Sequence, residues 1–88
     1  MKRLLAIVPH FEPGGADKFN LDLLGQLAGR GWRVSVLTTR RGEHRWHAAF
    51  ANVSKAITDI AAYPPVEQPA RLVEIARAEA CTHIFLSH

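Results

Sequence analysis

The stretch Pro13-Gly14-Gly15-Ala16-Asp17 has the residue types to hold a phosphate. Two residues without Cβ let a ligand approach the backbone closely. If Gly14 and Gly15 open a helix, its unpaired N–H groups and positive dipole end form an anion site. The stretch is neither G-x-G-x-x-G nor a P-loop ending in Gly-Lys-Ser/Thr. A glycine pair serving only a tight turn is therefore the competing reading. His10 and His88 fall at the carboxyl ends of two predicted strands, where an imidazole can bind or position a substrate hydroxyl. His88 reads equally well as a frayed terminal residue. Arg40 and Arg41 follow another predicted strand and suit an anionic or sugar substrate, with a solvated loop as the alternative.

Other reactive residues argue for less. His44 and His47 are three apart, but Trp46 and Phe50 mark the inner face of their segment and leave the imidazoles on a solvated flank. His10, His83 and His88 have no Cys or carboxylate at ligand spacing, so no metal site is expected. No paired carboxylates and no Ser/His/Asp order are recognisable. Asn20 falls within an apolar helical stripe. It is either satisfied by nearby backbone or reaches the cleft from the second helical turn. Cys81 is the single cysteine, which forbids an intrachain disulfide and favours a cytosolic setting. Its place between a helix and a strand suits a plain thiol.

The elements that must position these groups follow from periodicity. Residues 4–9 are a continuous apolar run, as in a strand buried on both faces, and the first strand is expected over residues 3–9. A helix is expected over residues 15–30, with Ala16, Phe19, Leu23, Leu24, Leu27 and Ala28 facing inward and Gly31 ending it. Residues 32–38 are β-branched and apolar-rich, a second strand parallel to the first. A short helix over 43–53 and a weaker strand within 56–62 follow, stopped by Tyr63-Pro64-Pro65. A helix over 67–80 carries Pro69 in its first turn and Leu72, Val73, Ala76 and Ala80 inward, with Glu74 able to pair with Arg71 or Arg77. The last strand is 83–87. This alternation predicts a doubly wound α/β sheet of about four strands in the order 3-2-1-4, with helices on both faces. The topological switch point then lies between the first and last strands, beside the glycine turn, where ligands bind in such sheets.

The totals bound the class. Eighty-eight residues make one small domain or part of a larger one. With 48% hydrophobic residues a packed core is possible. The formal charge of +3 suits anionic small molecules, and the scattered basic residues do not demand nucleic acid. The opening apolar run ends at Pro9, too short for a signal peptide, and no stretch approaches membrane-spanning length. The last strand, apolar and with no helix after it, leads us to expect the amino-terminal part of a longer protein and self-association through the open sheet edge.

The opening Leu5-Ala6-Ile7-Val8-Pro9-His10-Phe11-Glu12-Pro13-Gly14-Gly15-Ala16-Asp17-Lys18 resembles the start of family 4 (group 1) glycosyltransferases. So does Leu27-Ala28-Gly29-Arg30-Gly31-Trp32 with the strand and Thr38-Thr39 after it. The likeness is specific over residues 4–39 and looser from Gly42 onward; Asp17 stands where that family more often has Glu. The resemblance implies an incomplete, Rossmann-like, acceptor-side domain over residues 1–88 of a two-domain GT-B enzyme. It implies transfer of a sugar, with retention, from a nucleotide-sugar donor to a glycan or lipid acceptor, without a metal or other cofactor. It places Gly14 and Gly15 by the donor diphosphate, and His10, Phe11, Arg40 and the Ser87-His88 end toward the acceptor. A donor domain with a Glu-x7-Glu-like motif would lie outside these residues, so this piece alone is expected to be inactive. A cytoplasmic enzyme of polysaccharide synthesis, compatible with peripheral association at the inner membrane face, is the commonest setting for the family. Two other classes stay open. One is an NADP-type dinucleotide domain in which Arg40-Arg41 meet a 2′-phosphate, and the other is a non-catalytic α/β interaction domain.

Overall fold

The computed structural model describes residues 2–10, 15–40, 45, 47–54 and 56–87, without the side chains of residues 15–17. Phe11, Gly14, Arg41, His44, Trp46 and His88 lie outside the described residues. Four strands, β1 (Arg3–Val8), β2 (Arg33–Thr38), β3 (Ala56–Asp59) and β4 (His83–Leu86), form one parallel sheet in the order β3-β2-β1-β4. Helices α1 (Gly15–Gly29), α2 (His47–Val53) and α3 (Gln68–Ala78) connect them in turn. The predicted α/β class, strand order and two-sided helical cover are therefore those of the molecule, a Rossmann-like arrangement.

Alternation along the central strands divides the core. Leu4, Ala6 and Val8 of β1 and Val34 and Val36 of β2 face α1 and α2, where Leu24 and Phe50 meet them. Leu5, Ile7 and Leu37, with Ile60 just past β3, face α3 through Leu72, Ile75 and Ala76. Phe50, Leu5, Leu24 and Leu37 are fully buried, each stabilising the fold by roughly 1.5–3 kcal/mol from burial alone. The exposed Lys18–Asp22 pair, at 3.1 Å, is worth at most about 1 kcal/mol, so the sheet's apolar faces decide the fold.

Three helical details differ from expectation. Phe19 points outward, 55% exposed, and Leu21 packs against the core where Phe19 was expected. Leu24, Leu27 and Ala28 keep the inner side, and apolar residues on both flanks of the helix left its orientation ambiguous. On α3, Ile75 joins Leu72 and Ala76 at the core, while Val73 is 44% exposed and Ala80 lies beyond the helix. The inward triplet thus has i, i+3, i+4 spacing. Within the predicted 43–53 helix the described helical part is α2 alone, and Arg45 sits in a turn. The weak third strand is only four residues long.

Helix ends are fixed by local chemistry. Gly31, at φ 91°, terminates α1, with its N–H donated to the Ala28 carbonyl and that of Trp32 to Leu27. This is the Schellman pattern, which needs a left-handed residue at that position. α3 ends in the same pattern on Ala80, whose N–H reaches the Arg77 carbonyl while that of Cys81 reaches Ala76. At the other end Pro69 occupies the first turn of α3, where no N–H is required. Glu74 pairs with Arg71 at 2.9 Å and raises the pKa of that guanidinium by hydrogen bonding and charge.

Candidate functional site

The carboxyl ends of the strands, with the start of α1, form the region to which the sequence assigned its chemistry. In a parallel sheet this edge carries the turns into the helices. Two links organise it. The N–H groups of Thr39 and Arg40 donate to the Pro9 carbonyl at 3.3 and 2.9 Å, tying the exit of β2 to that of β1. His10 and Arg40 are thereby held as neighbours on two adjoining exits, His10 half-buried and Arg40 exposed. The Asn20 amide donates to the Ser87 hydroxyl at 2.9 Å, joining the second turn of α1 to the exit of β4. This bond ties α1 to β4, the strand paired with β1 at the predicted switch point.

Asn20 is thus buried (4% exposed) and satisfied, but by a side chain 67 residues away rather than by nearby backbone. Burying an amide without such a partner costs about 1–3 kcal/mol, so the pair holds α1 over the end of β4. Gly15 is the first residue of α1, as expected. Gly14, Phe11, Arg41 and His88, to which site roles were also assigned, lie outside the described residues. His47 is exposed at the first position of α2. His83 meets Trp32 edge-on at 5.0 Å, and its Nδ1 lies 2.8 Å from the Thr82 hydroxyl, at the amino-terminal end of the sheet. It therefore stands apart from the strand exits. Cys81 is half-buried, and desolvation pushes its thiol above the ordinary value, opposite to what an activated nucleophile needs. Among the described residues, no three His, Cys, Asp or Glu side chains are grouped to hold a metal ion.

One feature of this edge escaped the sequence reading. On the α3 side a cavity of about 410 Å³ opens at the carboxyl ends. Ile7, Ile60 and Leu72 line it, with Val73 and Leu86 alongside, and Thr39 and Gln68 are its polar members. It draws on the ends of all four strands, so no local pattern announces it. The Gln68 amide is already engaged, donating to the carbonyls of Tyr63 at 3.1 Å and Ile60 at 3.4 Å.

The described residues form a doubly wound α/β arrangement in which the exits of the strands lie at one edge of the sheet. Compared with known proteins, the chain matches no family model, no curated protein and no solved structure. Among the described residues, no helix is long and apolar enough to cross a membrane.

Proposed function

We propose that this chain is the amino-terminal, acceptor-side domain of a GT-B glycosyltransferase that moves a sugar, with retention, from a nucleotide-sugar donor to an acceptor glycan or lipid. The observation that carries the reading is the position of its recognisable stretch. The glycosyltransferase-like residues 4–39 span the β1–α1–β2 unit, and Gly15 is the first residue of α1, which follows the carboxyl end of β1. In this reading Gly14 and Gly15 lie by the donor diphosphate, whose charge the helix N-terminus stabilises as it leaves. His10, Phe11, Arg40 and His88 face the acceptor. No metal or other cofactor is assigned to the reaction. A second α/β domain grips the nucleotide, so the 88-residue chain alone binds weakly and does not turn over. The reading carries with it a cytoplasmic enzyme working at or near the inner membrane face.

Arg40 supports one rival. It is exposed at the exit of β2, where an NADP-binding domain places the cation for the 2′-phosphate. Titration of the chain with UDP-glucose, GDP-mannose and NADP, followed by backbone NMR, separates the two. The glycosyltransferase reading expects a nucleotide sugar to shift the amides of the first turn of α1, and NADP to do no better than a plain diphosphate. Tight NADP binding that Arg40→Glu abolishes, with no response to nucleotide sugars, overturns it.

A further inference from the structure

We infer that the cavity between α3 and the strand exits takes an apolar group, an alkyl chain or a hydrocarbon ring, as part of the ligand bound at this edge. The inference rests on the acceptor-side reading above only in calling that ligand the acceptor. Its volume of about 410 Å³ lies in the range of small-molecule sites, roughly 300–1,000 Å³. Its walls decide the chemistry. A bare sugar would bring several hydroxyls, and each one buried without a partner is costly. The cavity offers them the Thr39 hydroxyl and the carbonyl oxygen of Gln68, whose amide N–H₂ is spent on the Ile60 and Tyr63 carbonyls. Ile7, Ile60 and Leu72 ask instead for hydrocarbon.

Two further observations fix the occupant as a ligand with a polar end. Val73 and Leu86 remain 44% and 57% exposed, so among the described residues no side chain covers the space they border. Thr39, at the cavity wall, is followed directly by Arg40, whose N–H is anchored on Pro9. The polar part of a ligand lodged here therefore emerges beside the half-buried His10 and the exposed Arg40, at the strand exits. An amphiphile with a sugar or anionic head and an apolar tail satisfies both ends.

Alkyl glucosides below their micellar concentrations test this on the full chain, with the methyl resonances of Ile7, Ile60 and Leu72 as reporters. Octyl glucoside is expected to shift these methyls saturably, hexyl glucoside to bind roughly tenfold more weakly for its two missing methylenes, and methyl glucoside not at all. Val73→Asp, at an exposed position, keeps the fold and weakens octyl glucoside at least tenfold. Four results overturn the inference: no methyl response to octyl glucoside, no dependence on chain length, undiminished binding to Val73→Asp, or shifts of the same methyls with protein concentration alone. The last would assign the cavity to a second copy. Failure of the donor-side reading is seen separately, as absence of a nucleotide-sugar response at the first turn of α1 while octyl glucoside still binds.

Discussion

Ala80 holds a backbone φ of 51°, a left-handed conformation that side chains with a Cβ disfavour by about 1–2 kcal/mol. The end of α3 demands it, since the two bonds of the closing motif form only when this residue turns left-handed. Gly31 meets the same demand at the end of α1 without that cost. Ala80→Gly should therefore stabilise the fold by about 0.5–1 kcal/mol, less than the full strain because glycine also loosens the unfolded chain. Gly31→Ala should destabilise it by about 1 kcal/mol, although an added Cβ would meet nothing within 4 Å. Urea denaturation of the three proteins checks both signs; equal midpoints would remove strain as the cause. Beside Ala80, Cys81 supplies a pH test. Burial raises its thiol pKa, so folding favours the protonated form. That contribution is complete below the ordinary thiol value of about 8.5 and is lost as pH rises through the raised folded value. Stability should fall across this alkaline window, and Cys81→Ala should flatten that part of the pH profile.

At the scale of elements, α2 is held chiefly by Phe50, with Val53 packing partly buried beside it. It has seven residues, too few to persist alone, and its one buried residue is Phe50, at 0% exposure. Phe50→Ala should cost about 3–5 kcal/mol. The loss should appear by hydrogen exchange as early opening of α2 and the neighbouring β3 before the central strands; uniform loss across the sheet would show that α2 is not a separable unit. The contrast between elements explains what the sequence revealed. β1 is a nearly continuous apolar run and β2 is β-branched and apolar-rich, in a chain that alternates strand and helix, and this pattern leaves few topologies other than 3-2-1-4. The helix faces were less legible, because Phe19 and Val73 are apolar yet point outward, and a wheel cannot tell which apolar flank the sheet will select. The start of α1 at Gly15 was legible. The Asn20–Ser87 bond and the α3-side cavity were not, because each joins residues from separate crossovers and exists only once the strands lie side by side.

Among the described residues the sheet has two edge strands, β3 and β4, and of these β3 carries the charged Asp59 while β4 carries no charged residue. Among the described residues β4 pairs with β1 alone, and the Ser87 N–H reaches back to the Ile7 carbonyl at 2.9 Å. By the alternation of a parallel ladder, the backbone groups of Ile84 and Leu86 then face away from the sheet. Such edges are usually blunted by charge, proline or a bulge, and His83-Ile84-Phe85-Leu86 has no Lys, Arg, Asp, Glu or Pro. The Ile84 side chain is 58% exposed and adds an apolar contact to the open hydrogen bonds. A second copy supplies the matching edge, so the isolated chain should associate increasingly with concentration. Sedimentation velocity should show this, and Ile84→Lys should shift the chain toward monomer with little loss of stability, since it replaces an exposed side chain. Protection of the Ile84 and Leu86 amides from exchange in the associated form would locate the contact on β4. A chain that stays monomeric at about 1 mM, where an association of only about −4 kcal/mol is visible, would show that this edge does not pair with itself.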